Sequence, residues 1–452
     1  MKINLRTFVL FSLAVPVFAP PITPLASAQQ PAPMRLTLQG AIQRALQANL
    51  NVLVGAAHVD EAEGARMRLE SAALLPRINV QSYANVQNRD LRAFGLSLPG
   101  VPIPSVVGPF SNYDFRVYAQ QNIVDLQSYR SLRAGDRAVE AGKMDLEDAR
   151  DLIVRVIAGL YLNAQSAAAR AEAAQSRVTD STTFYKLAKD KHDTGTATGV
   201  DVLRAEVQRA NDKQSLLIAQ NQYRQSLLSL ARNLAIDPST PVELAEPLVY
   251  RPMTQAEPDA LVPAALNSRA DYLSLAAQRQ QLLEQQRANR ARSYPKLSIN
   301  GNFGGIGRSI GGVQATGLIQ GQIDFTVFDR DRQGEAAELS SRVRQIDDRI
   351  ADLRRGIDED IREALLNLDS AAQQVTVAEE GQNLAHRELK LAQDRFQSGA
   401  ANNVEVVTAQ DELARAEDNY ILAVSSHVDA KIALARAQGN TEKNILQSMG
   451  NP

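Results

Sequence analysis

The stretch Lys186–Leu203, KLAKDKHDTGTATGVDVL, returns 204 residues later as Lys390–Val407, KLAQDRFQSGAANNVEVV, without a gap. Each copy reads as the end of one helix, a glycine-centred tip at Gly195 or Gly399, and the start of another helix. A repeat of this kind in a 452-residue chain confines the fold to a tandem duplication in which both halves supply the same elements. Asp125 to Gly195 and Asp329 to Gly399 are both 70 residues, whereas Pro76 to Asp125 is 49 and Pro295 to Asp329 is 34. The arms leading to the tips are therefore fixed in length, and variation is confined to the segment before them.

That segment changes period. Ile78, Val80, Ala84 and Val86 alternate with Asn79, Gln81, Tyr83 and Asn85, and Phe115, Val117, Ala119 and Ile123 alternate with Arg116, Tyr118, Gln120 and Asn122. This period of two predicts strands with one apolar face, separated by a long loop over 88–112. The second half repeats the pattern over Leu297–Phe303 and Ile319–Val327, around a glycine-rich loop at 304–317. Everywhere else apolar residues recur at steps of three and four: helices are expected over 35–75, 126–191, 200–234, 264–293, 333–397 and 404–437. Thr37 is the expected N-cap of the first helix and Pro76 its end. The resulting division is a first repeat over 29–235, a connector over 236–263 dense in proline, a second repeat over 264–439 and a polar tail over 440–452.

Composition removes several classes of function. Net charge is −2, which gives no reason to expect a nucleic-acid partner. There is no cysteine and the four histidines are dispersed, so no disulfide, thiolate site, metal cluster or cofactor is expected. No Ser/His/Asp set, phosphate loop or paired-carboxylate cleft stands apart from the helical pattern, so the chain is not read as an enzyme. Residues 1–28 have the form of a signal peptide: Lys2 and Arg6, the apolar run Phe8–Ala19, and a cleavage site at Ala26-Ser27-Ala28. No later uninterrupted apolar run has the ~18 residues of a membrane helix.

A helix of the expected length spans roughly 100 Å at ~1.5 Å per residue, too long for one globular core. It must pack sideways against shorter helices stacked end to end. Strands of about ten residues with one apolar and one polar face suit an outer-membrane barrel, but four strands cannot close one alone. Tyr83, Phe110, Tyr113, Phe115, Tyr118, Phe303 and Phe328 are the candidate interfacial aromatics. The competing reading of the same pattern is a soluble periplasmic coiled-coil structural or adaptor-like protein without a barrel.

The chain resembles the TolC-like outer membrane efflux proteins. The resemblance rests on LTLQGAIQRALQANLNV from Leu36, SAALLPRINV from Ser71, QQNIVD from Gln120, RADY from Arg269, PKLSING from Pro295, QIDFTVFDRDRQGEAA from Gln322 and both tips. It implies an α+β membrane protein of long antiparallel coiled-coil helices and four strands per chain. Three chains would form a 12-stranded β-barrel in the outer membrane and an α-helical tunnel across the periplasm. It also implies an exit duct in a tripartite efflux or type I secretion system. The partners are then a homotrimer, outer membrane lipid, a periplasmic adaptor (membrane fusion) protein and an inner-membrane transporter.

The same resemblance assigns roles at the tips. Gly195, Thr196, Gly199, Val200, Gly399, Ala400, Asn403 and Val404 are expected to meet the adaptor. Asp201 and Glu405, at the starts of the helices after the tips, are the candidate gate acids. Thr408, Ala401 and Phe396 replace acidic, basic and tyrosine residues that help to lock the mouth in some members, so a weaker or different lock is expected. Leu50 and Ala270 stand where the family has proline, so softer helix boundaries are expected there.

Overall fold

The computed structural model describes residues 34–95, 104–253 and 257–448. The expected signal peptide lies outside the described residues. Among these residues the chain forms nine α-helices and six strands. The first repeat comprises β1 (Met34–Leu36), α1 (Leu38–Ala48), α2 (Leu50–Leu74), β2 (Arg77–Asp90), β3 (Val106–Val124), α3 (Leu126–Asp193) and α4 (Gly199–Asn233). After β4 (Val242–Leu244) come α5 (Pro258–Ser268), α6 (Ala270–Ala291), β5 (Lys296–Gly307), β6 (Gln314–Asp324), α7 (Arg330–Ser398), α8 (Asn403–Gln438) and α9 (Thr441–Ser448).

The two long helices start alike. The Asp125 carboxylate accepts the Ser128 N–H at 3.0 Å and Asp329 accepts the Arg332 N–H at 3.3 Å, each satisfying a free donor of a first turn. The helices then run for 68 and 69 residues, roughly 100 Å each. α2 lies antiparallel to the first part of α3, where Leu69 and Leu146 close over Gly135 and Gly55. α4 covers the remainder of α3 and α8 packs along α7, while α6 lies between the two long helices and packs more extensively on α3 than on α7. The first repeat thus shows the expected pairing of one long helix with two stacked shorter ones, and in the second α6 is shared across the repeats. One window of α3 is long and apolar enough to cross a membrane, but more than half of it is buried against other helices, as in a core helix.

At one end of this shaft stands a single antiparallel sheet in the order β2-β3-β5-β6, with β3 pairing to β5 across the repeats. Register sorts the side chains by face. Ile78, Val80, Phe115, Val117, Ile299, Phe303, Ile319 and Ile323 share one face, and most stay exposed, Phe303 at 70% and Ile319 at 86%. The other face carries Asn79, Gln81, Asn85, Gln120, Asn300, Asn302, Gln320 and Gln322. There Asp114 is buried, accepting from Tyr83 Oη at 2.9 Å and from Arg116 Nε at 2.7 Å. Arg116 lies over Gly304, where any Cβ would meet the Phe115 carbonyl at 2.0 Å. Glycine is thus required for β5 to approach β3 so closely. Neither β2 nor β6 has a second pairing partner among the described residues.

Midway along the shaft, β1 and β4 pair in parallel and hold α1 and α9 against α3. Ile42, Ile157, Tyr161, Leu230, Leu234 and Ile445 are fully buried there, and the Tyr161 hydroxyl donates to the Leu36 carbonyl at 3.1 Å. A buried aliphatic or aromatic side chain of this kind stabilises by about 1.5–3 kcal/mol.

The structure corrects several expectations. The loop expected at 88–112 is shorter, because β2 continues to Asp90 and β3 begins at Val106. The loop expected at 304–317 shrinks to 308–313, since glycines that read as loop fit tightly spaced strands. β6 ends at Asp324, and Phe325 and Phe328 project from the segment leading to α7. Tyr83, Phe110 and Tyr118 have the register of the polar face, not of the interfacial aromatics. The connector holds β4 and the start of α5, with Pro258 in the first turn, where a missing N–H costs nothing. The polar tail forms α9, capped by Asp151 through the Thr441 N–H at 3.0 Å and anchored by Ile445. The helices expected over 35–75 and 264–293 are each broken, at Asn49 and Arg269, both extended despite the absent prolines. Thr37 does cap α1, through the Gly40 N–H, but β1 precedes it. Asn49 caps α2 through the Asn51 N–H, while the Arg269 guanidinium is clamped by Asp271 and Asp360, each at 2.7 Å. The boundaries are therefore fixed by side chains in place of proline.

Candidate functional site

The end of the shaft opposite the sheet consists of the two tips, and the structure builds them into one unit. Gly195 and Gly399 adopt φ of +77° and +78°, the left-handed conformation that stops a helix and that other residues take at a cost. Thr198 and Asn402, the same position of the repeat, then cap α4 and α8. Thr198 forms a capping box with Asp201: Asp201 Oδ2 accepts the Thr198 N–H at 3.0 Å, and Thr198 Oγ1 accepts the Asp201 N–H at 3.3 Å. Asn402 Oδ1 accepts the N–H groups of Val404 and Glu405 at 3.1 and 3.4 Å.

Four contacts join the tips. Lys191 Nζ donates to the Gln397 carbonyl at 2.9 Å and sits 5.3 Å from the centre of the Phe396 ring. Phe396 is buried against Phe184, ring centres 5.2 Å apart. Asn403 Nδ2 donates to the Asp201 carbonyl at 2.5 Å. Around them Ala188, Ala205, Leu389, Val406 and Leu413 form an apolar cluster drawn from α3, α4, α7 and α8.

The sequence-derived residues divide accordingly. Gly195, Thr196, Gly199, Val200, Gly399, Ala400 and Val404 lie together on the exposed end of the tips. Asn403 does not: it is fully buried, and its amide joins one tip to the other. The gate candidates also differ. The Asp201 carboxylate is turned back onto its own helix start. Glu405 is half exposed and pairs with Arg395 at 3.5 Å. Lys191, Arg395 and Phe184 were not singled out from the sequence. The signal was present for two of them, because Lys191 and Arg395 occupy the same position of the repeat, 204 residues apart.

Chemically the tips offer caps, one exposed ion pair and a small apolar rim of Val200 and Val404. Their hydroxyl and amide groups are spent on the backbone: Thr194 and Thr196 Oγ1 both donate to the Lys191 carbonyl at 3.0 Å. The result is a closely capped end.

A sequence profile described as outer membrane efflux protein matches residues 41–235 and 261–440. The toluene efflux pump outer membrane protein TtgF of Pseudomonas putida is 25% identical over 406 residues, covering 85% of this chain and 79% of its own. The pyoverdine export outer membrane protein OpmQ of Pseudomonas aeruginosa is 22% identical over 420 residues, covering 91% and 87%. The open state of the Neisseria gonorrhoeae MtrE outer membrane channel superimposes with a TM-score of 0.73 at 16% identity, covering 90% of each chain.

Proposed function

The chain belongs to the outer membrane efflux protein family, and from that premise we propose that it is the passive exit duct of a tripartite efflux or type I secretion system. The observation that carries this reading is the sheet. Its exposed apolar face is what lipid requires, and its two unpaired edges cannot remain open in hydrocarbon. Three chains, each giving four strands, close those edges into a twelve-stranded barrel with the polar face inward. The α3 and α7 arms then carry the tips roughly 100 Å from the membrane, across the periplasm.

At that distance the tips form the mouth. Thr196, Val200, Ala400 and Val404 are placed to meet a periplasmic adaptor, which joins the duct to an inner-membrane transporter. The walls perform no chemistry, and selection of cargo rests with the transporter. Three copies of Glu405 around the trimer axis make an anionic constriction that favours cations. Arg395, facing each of them, limits its strength.

Purified protein in a planar bilayer tests the reading. A detergent-stable trimer with steady conductance is expected; a soluble periplasmic protein without conductance fits the coiled-coil alternative and overturns the duct. For the mouth, Glu405→Ala is expected to reduce cation selectivity, and unchanged selectivity removes Glu405 from the gate.

A further inference from the structure

Above the apolar cluster of the tips, the four helices meet in a polar belt. Leu389 and Leu413 belong to that cluster and also form the floor of a small cavity whose other walls are Arg177 and Asp180 of α3, Gln208 and Asp212 of α4, and Gln410 of α8. Asp180 precedes Gly195 by 15 residues, so the belt sits about 20 Å from the tip along α3. The next apolar cluster, Val375, Ala423 and Val424, lies further up the shaft. The belt thus separates the packed tips from the packed shaft.

Two observations mark it as more than a solvated face. Gln410 is buried to about nine-tenths, and neither its amide oxygen nor its amide nitrogen has a hydrogen-bond partner. A buried amide left so is destabilising. The cavity beside it measures about 10 Å³, room for one water. The belt is also rich in acids. Asp180, Asp212, Asp411, Glu417 and Asp418 face Arg177 and His386, the groups of opposite sign that α3 and α7 bring to them. Arg177 reaches Glu417 at 3.3 Å and Asp418 at 3.8 Å, and Gln208 Nε2 donates to Asp411 at 3.2 Å and Asp212 at 3.4 Å.

We propose that this belt is a proton-sensitive hinge: protonated, it packs and holds the tips in line with the shaft; ionised, it takes up water and releases them. The proposal rests on the reading of the tips as the mouth of a duct. Burial pushes the carboxyls of Asp180, Asp212 and Glu417 above the usual carboxylate range; His386 beside Asp180, the Ser181 hydroxyl and Arg177 beside Asp212, and Arg177 and His386 beside Glu417 only partly oppose it. A group raised in the packed state stabilises that state fully below its ordinary range and loses the contribution as pH rises through the raised value. The closed packing is therefore favoured on the acid side, and release of the tips at neutral and alkaline pH.

Hydrogen–deuterium exchange on the full-length protein, from mildly acidic to mildly alkaline pH and corrected for the intrinsic rate, tests this. Amides of 177–187 and 384–392 are expected to lose protection with rising pH, by about tenfold for each unit by which burial raises a carboxyl. Segment 357–368, buried higher in the shaft, is the internal reference and is expected to stay level. The combined Asp180→Asn, Asp212→Asn and Glu417→Gln variant is expected to keep acid-side protection at every pH. Equal loss in belt and reference, or a flat wild type, overturns the hinge, and the wild-type comparison decides this even where the variant fails to assemble. Conductance measured alongside separates the two readings: no pore at any pH counts against the duct, whereas a pore with a level belt counts against the hinge.

Discussion

The two tips share one sequence plan and have taken opposite parts. Lys191 and Arg395, His192 and Phe396, Thr198 and Asn402, Gly199 and Asn403, Asp201 and Glu405 are equivalent pairs, 204 residues apart. The first tip bonds to itself: Thr194 and Thr196 donate to Lys191, His192 Nδ1 contacts the Ala197 carbonyl at 3.2 Å, and Asp201 closes a capping box. The second tip brings to the joint the Phe396 ring, the Gln397 carbonyl and the Asn403 amide, which the first tip meets with Phe184, the Lys191 ammonium and the Asp201 carbonyl. Both helix starts are capped, but only the second places its first helical residue, Asn403, in a contact across the repeats. Phe396, standing where the resemblance has tyrosine, packs its ring into the apolar cluster with no hydroxyl to satisfy.

The largest test of this asymmetry is Phe396→Ala against His192→Ala. Removing a buried aromatic ring costs about 3–5 kcal/mol, whereas the exposed histidine is expected to cost no more than about 0.5 kcal/mol. Limited proteolysis should cut the tips of the first variant much faster and leave the second like wild type. Equal rates would mean that the ring does not hold the tips together.

Next in size is Asn403→Ala against Gly199→Ala. The buried amide loses its bond to the Asp201 carbonyl, a loss of about 1–3 kcal/mol. At position 199 a Cβ meets only His192 Cε1 at 4.0 Å, and alanine is better in a helix than glycine by about 0.5–1 kcal/mol. The two substitutions should thus move tip amide exchange in opposite directions. Movement in the same direction would break the division between a self-closed and a joining tip.

Much of this was legible in the sequence. Period located the long helices and the four strands of the sheet, and the repeated stretch with its glycines located both tips, because an apolar stripe at steps of three or four and an alternation of two are direct images of what each element buries. Asp125 and Asp329 stood at equal distances from the tip glycines and proved to be the N-caps. What escaped were features set by contacts distant in sequence. Gly304 read as loop because its need, the close approach of Arg116 on β3, is visible only once β5 has paired. The tail read as polar because one residue, Ile445, carries its anchoring. Asn403 read as a surface position because its partner lies 202 residues away. The partners of the gate candidates were likewise hidden: Arg395 is near Glu405 in sequence, but only the turn at Gly399 brings them together.

The smallest effect separates the two acids themselves. Asp201→Ala removes the carboxylate half of a capping box and should cost about 1 kcal/mol, with little dependence on salt, because the lost contacts are the short hydrogen bonds that Asp201 Oδ2 accepts from the Thr198 N–H and hydroxyl. Glu405→Ala removes a half-exposed pair with Arg395, which contributes about 0–1 kcal/mol and is screened by salt. Amide exchange of the first turns of α4 and α8, compared at low and high salt, should show a salt-independent loss for the first variant and a smaller loss for the second that disappears at high salt. If instead the Asp201 effect is the one that salt abolishes, its charge is acting at long range across the mouth and not as a cap. Asp201 would then be a second candidate beside Glu405 for the proposed gate, and the tips would be electrically more alike than their hydrogen bonds.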